Sequence, residues 1–188
     1  LEYMSDGPPT FNLQVSMDQD PEQVASEILR HLGLAEEHRL TWNSAATALD
    51  YWISAVEKLG ILVFQVPSIS ISEMRGFSIS DTPLPVIALN RKDAPTGRIF
   101  TLLHELVHIA INRAGLCNLE LPDDSPDYRR IEWVCNRVAA AILMPPSAVL
   151  SYEIVRSKPT SYTDWSDRDL KRIANHFKVS KESVLLRL

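Results

Sequence analysis

Cysteine is nearly missing from this chain: its 188 residues hold two, Cys117 and Cys135. Two thiols inside otherwise regular patterning make no disulfide framework, so a reducing, cytoplasmic setting is the expectation. No apolar run approaches the roughly 18 residues of a membrane span. The N-terminus, Leu1-Glu2-Tyr3-Met4-Ser5-Asp6, has neither the charged nor the apolar region of a signal peptide. An excess of positive charge is lacking too. Lys and Arg number 19 against 24 Asp and Glu, a net charge of -5, which speaks against broad electrostatic binding to nucleic acid. Repeats and low-complexity tracts are absent. There is no Met at position 1, as expected of a fragment or a processed chain. What remains is ordinary globular composition, 45% hydrophobic and 23% charged, in a length that suits one domain with a small appendage.

Residues 1–19 hold Gly7-Pro8-Pro9 and few apolar side chains, and read as a linker or arm. A domain is expected over 20–150. It opens with Asp20 as N-cap, Pro21 at the first helical position, Gln23 completing a capping box and Gly33 as the stop. A second helix is expected from about Asn43 to Leu59, followed by Gly60. The period then changes. Ile61–Val66, Gly76–Ser80 and Pro85–Asn90 read as three short strands, with spacings that suit a small antiparallel meander. Asp93-Ala-Pro95-Thr96 signals a helix start, and the helix runs to about Arg113 with Gly115 as its stop. After a polar loop containing Pro122, Asp123, Asp124 and Pro126, a long helix spans Tyr128–Met144, ended by Pro145-Pro146. A short helix over Ser147–Val155, a capped helix from Ser166 to about Phe177 and a last helix to Leu188 complete the chain. The sum is an α+β architecture, mostly helical with one small sheet.

The helix Arg98-Ile-Phe-Thr-Leu-Leu-His104-Glu105-Leu-Val-His108 carries the chemistry. Histidines at i and i+4 lie one turn apart on one face, so both imidazoles reach one metal ion, and Glu105 points at a water there. Leu102, Leu103, Leu106, Val107 and Ile109 surround them, and unpartnered polar groups are costly in such a place. Catalytic zinc keeps three protein ligands and an open position. The carboxylates able to complete the set are Glu120, Asp123, Asp124, Asp127 and Glu132. The first four sit in a solvated loop. Glu132 sits among Ile131, Val134, Val138, Ala139 and Ile142, and ranks first. A set of two nitrogens and one oxygen suits zinc and admits other divalent ions.

The blocks Arg98-x-Phe-Thr-Leu-x-His-Glu-x-x-His108 and Glu132-x-x-Cys-Asn-x-x-Ala-Ala-x-x-Leu-Met-Pro145 resemble the two signature blocks of the ImmA/IrrE family of metallo-endopeptidases. The likeness extends over about residues 20–188, through Gly60-Ile-Leu-Val-Phe-Gln65, Pro85-Val-Ile-x-Leu-Asn90 and Ile173-Ala-x-x-Phe-x-Val-Ser180. Val107 departs from it, standing where the family commonly has Gly or Ala. The resemblance implies a zincin-like fold, His104, His108 and Glu132 as zinc ligands and Glu105 as the catalytic base. The base would take a proton from water and pass it to the leaving amine. Tyr128, His176 and Arg98 are the candidate donors to the oxyanion. Asn136, one turn after Glu132, is placed either to hold a histidine or to bond backbone between helices. Cys135 is expected to be a small buried thiol rather than a ligand, and Cys117 likewise.

The resemblance further implies a protein substrate, a helix-turn-helix repressor cleaved in a stress-response or mobile-element switch. An upstream XRE-type DNA-binding domain in the full-length chain fits the same family. The alternative is a regulatory binding module of peptidase-like fold, a transcription regulator or toxin–antitoxin component without proteolysis. The extension 151–188 resembles a helix-turn-helix. Its last helix, with Val184, Leu185, Leu186 and Leu188, is too apolar for base reading and is expected to pack on the core, so direct nucleic-acid binding is not expected.

Overall fold

Asp20 sets the first helix, α1 (Pro21–Leu32): its carboxylate accepts from the backbone N–H groups of Glu22 and Gln23, and Gly33 ends it at φ 64°. The computed structural model describes residues 10–80, 84–111, 125–159 and 162–188. A short helix that the sequence pattern did not announce, α2 (Glu36–Leu40), precedes α3 (Ala45–Lys58). Ser44 caps α3, and Gly60 follows it at φ 87°, a left-handed backbone that glycine adopts without strain.

The three expected strands form, as β1 (Leu62–Val66), β2 (Gly76–Ile79) and β3 (Val86–Asn90). Their arrangement is not a meander. The order is β1-β3-β2, with β1 parallel to β3 (Leu62 opposite Val86) and β2 antiparallel to it (Phe77 opposite Ala88). The sheet is therefore mixed, and β3 takes the centre. Its Ile87 and Leu89 are fully buried, as a central strand requires. The connection from β1 to β2 crosses to the far edge and is tied down by Asn90, whose side-chain amide donates to the carbonyls of Ile69 and Met74. Short apolar strands carry no mark of their partner, which is why spacing alone suggested antiparallel neighbours.

Three of the remaining helices line the site, α4 (Pro95–Ala110), α5 (Pro126–Leu143) and α9 (Lys181–Arg187), and α8 (Asp167–Phe177) packs against α9. Between α5 and α8 the single expected helix is split in two, α6 (Pro146–Ser151) and α7 (Glu153–Arg156). Arg113, Gly115, Cys117, Glu120, Asp123 and Asp124 lie outside the described residues. The α4 helix is sandwiched, with α3 and the sheet on one side and α5 on the other. One hydrophobic core takes side chains from Leu13 to Val184. The second half of the N-terminal arm belongs to it: Leu13 and Val15 are buried, and the Val15 N–H donates to the Ala110 carbonyl at the end of α4. The segment from 151 packs on the same core through Ile154, Ile173 and Val184. Among the described residues no helix is long and apolar enough to cross a membrane.

Candidate metal centre

Ten of the sixteen residues of α4 are buried, on all sides of the helix, and two of them are Glu105 and His108. His104 lies one turn before His108 on the same face, and its ring packs against Phe100. From across the helix pair, α5 brings Glu132. Its carboxylate oxygens stand 3.3 Å from His104 Nε2 and 3.2 Å from His108 Nε2, and the two Nε2 atoms are 2.9 Å apart. A tetrahedral zinc with bonds of about 2.0–2.1 Å spaces its donors about 3.3 Å apart. Three donors converge at that spacing, so the residues fit the ion.

The electrostatics agree with the geometry. Burial would raise the Glu132 carboxyl, but hydrogen bonds from His104 and His108 outweigh it and hold the group down at about 2. Burial would lower His104, yet the hydrogen bond to Glu132 and the charges of Glu105 and Glu132 outweigh it and leave the imidazole above its ordinary value. Asn136 resolves its two alternatives in favour of the histidine. His104 Nδ1 stands 3.1 Å from Asn136 Oδ1, and a neutral ring that donates there keeps its lone pair on Nε2, the tautomer a metal needs.

Glu105 has a partner that the sequence reading missed. Ser78 of β2, only 7% exposed, donates its hydroxyl to Glu105 Oε2 at 2.7 Å. The bond exists because β2 lies unusually close to α4: a Cβ on Gly76 would meet the Thr101 side chain at 2.4 Å and the Ala88 carbonyl at 2.9 Å. Alternation along β2 therefore runs against habit, with Phe77 and Ile79 outward and the hydroxyl inward. A serine in an apolar-polar alternation gives no signal for this.

The remaining candidates are scattered. Arg98 donates to Gln65 of β1. His176 stacks on Tyr152 at 4.1 Å and lines a separate cavity beside Trp42 and Trp52. Tyr128 lies one turn before Glu132 in α5, and its N–H is capped by Ser125. Asp127 is in the first turn of α5, outside the group of converging donors. Cys135 is fully buried in the core and outside the same group, and Val107 is accommodated with no exposure.

His104 and Glu105 open onto a cavity of about 820 Å³ between α4, α5, the start of β2 and α9. The last helix packs on the core, as expected, but through Val184 only among its apolar residues: Leu185, Leu186 and Leu188 are exposed, because a helix of seven residues presents a single narrow face to α5 and α8.

The sequence profile of a peptidase family, described as the IrrE N-terminal-like domain, matches residues 56–188. A solved structure of a Mycobacterium tuberculosis transcriptional regulator is similar in fold, with a TM-score of 0.61 at 15% identity over 90% of this chain. The chain spans about half of that protein, 46% of its length. No curated protein sequence matches. With the family profile covering most of its length, the chain belongs to the IrrE N-terminal-like family and carries a metallopeptidase-type domain.

Proposed function

We propose that the chain is a zinc-dependent endopeptidase of narrow specificity, and that its substrate is a protein, in keeping with its family a helix-turn-helix repressor of a stress-response or mobile-element switch. The convergence of His104, His108 and Glu132 beside Glu105, with His104 and Glu105 lining an open cavity, is what carries this reading. His104, His108 and Glu132 would hold the ion. Zinc, when bound, polarises a peptide carbonyl and lowers the pKa of water towards about 7. Glu105 takes the proton of the attacking water and hands it to the departing amine. Ser78 holds one oxygen of that carboxylate, so the other faces the reaction with its position fixed. Asn136 does the same for the His104 ring. Of the three oxyanion candidates, Tyr128 lies one turn before Glu132 in α5, Arg98 donates to Gln65, and His176 stacks on Tyr152.

Glu105→Gln keeps the shape of the side chain and removes its basicity. Zinc content should stay unchanged while cleavage falls by about 10²–10⁴-fold, read as the loss of new N-termini when a repressor-containing extract is incubated with the protein and sequenced by mass spectrometry. Equal cleavage by the variant would contradict the role of Glu105, and no cleavage by either protein would contradict the peptidase reading and leave a regulatory binding module in its place.

A further inference from the structure

The most exposed of the large apolar side chains among the described residues is Leu186, at 80%, and Trp133 is exposed as well, at 56%. Both line the cavity that holds His104, Leu186 from α9 and Trp133 from α5, directly after Glu132 in sequence. Phe100, one turn before His104, adds an aromatic wall. Isolated exposed leucines are ordinary, but apolar side chains gathered around one concavity with a few convergent polar groups mark a ligand site.

The charges around the cavity say what kind of group belongs there. Arg75 is paired with Asp93 at 3.2 Å. The guanidinium of Arg137 lies over the Trp133 ring at 5.5 Å. Arg187 is bound to both carboxylate oxygens of Glu22 and to the Met144 carbonyl. Glu182 accepts from its own N–H and from the Ser180 hydroxyl. Arg75, Arg187 and Glu182 are thus held by partners within the protein, and the apolar side chains are what the cavity offers most openly to a ligand.

We propose that Phe100, Trp133 and Leu186 form the specificity subsite of this centre, and that it takes a peptide with a large aliphatic or aromatic side chain next to the bond to be cut. The proposal rests on the peptidase reading above and adds the substrate class. The C-terminal helix is then part of the site. Closing the three side chains over an isobutyl group removes its apolar surface from water, which corresponds to about tenfold in affinity or more.

Binding of simple chelators tests this without turnover. Two pairs of hydroxamates suffice: N-acetyl amino-acid hydroxamates and succinyl hydroxamates, which place the side chain on opposite sides of the chelating group, each bearing either isobutyl or hydrogen. Calorimetry on the zinc-loaded protein should show the isobutyl member of at least one pair binding about tenfold tighter or more. The preference should shrink severalfold in Leu186→Ala and in Trp133→Ala, both exposed positions where folding and zinc content are expected to survive. Binding of all four compounds with equal affinity would overturn the subsite and leave the metal centre standing. Failure of all four to bind the zinc-loaded protein would overturn the open metal centre together with the subsite.

Discussion

The helices α4 and α9 form two walls of the same cavity and are held in opposite ways. In α4 ten of sixteen residues are buried, among them Leu102, Leu103 and Leu106 with no exposure at all. In α9 one residue of seven, Val184, is buried, and the helix is further fastened by Lys181, which pairs with Asp167 of α8, and by Arg187, which reaches α1 through Glu22 and the end of α5 through the Met144 carbonyl. Metal ligands must be kept within a few tenths of an ångström, and close packing on every side does that. A wall that selects a side chain tolerates a looser hold. Rigidity is concentrated where the donors are, and the more loosely held surface forms the facing wall of the cavity.

The contrast can be broken from the α4 side most forcefully. Leu106→Ala opens a cavity in the core beneath the ligands and should cost about 2–5 kcal/mol in denaturant unfolding. Zinc affinity should fall with it, since the ligand spacing relaxes. On the α9 side Arg187→Ala removes a three-point anchor of partly buried, charge-assisted hydrogen bonds. It should cost about 1–2 kcal/mol and raise amide exchange in residues 181–188, with zinc content unchanged. A loss of zinc in Arg187→Ala, or none in Leu106→Ala, would erase the distinction between the two walls.

The smallest effect is one of pH and again belongs to α4. The His104 imidazole is held above its ordinary value by Glu132 and Glu105 against the opposing effect of burial, so protons compete with the ion for Nε2. As pH falls below that raised value, zinc affinity should drop, by about tenfold per pH unit at the limit of one proton displaced. Above it affinity should be level as far as this group is concerned. Titration calorimetry across the neutral range reads the difference, and a flat profile through weakly acidic pH would contradict it.

Much of this was legible before the fold was known, and for local reasons. The i, i+4 spacing of His104 and His108 is a property of any helix, and Asp20, Pro21 and Gly33 mark α1 by backbone chemistry alone. Glu132 could be singled out from five carboxylates because it alone interrupts an apolar helical face. What escaped depends on contacts between distant elements. The parallel pairing of β1 with β3 follows from where the chain crosses, a choice that strand composition does not record. Ser78 matters only because Gly76 lets β2 approach α4. The exposed face of α9 was not legible, since four apolar residues among the last five state how much could be buried and not how much is.

The most direct measurement is metal stoichiometry by elemental analysis on the purified protein, beside His104→Ala. About one zinc per chain, lost in the variant while its circular dichroism is retained, is the predicted result, because three donors at this spacing leave one ion site. A well-folded wild-type chain that takes up no metal even after zinc is added would contradict the metal centre and the peptidase reading together.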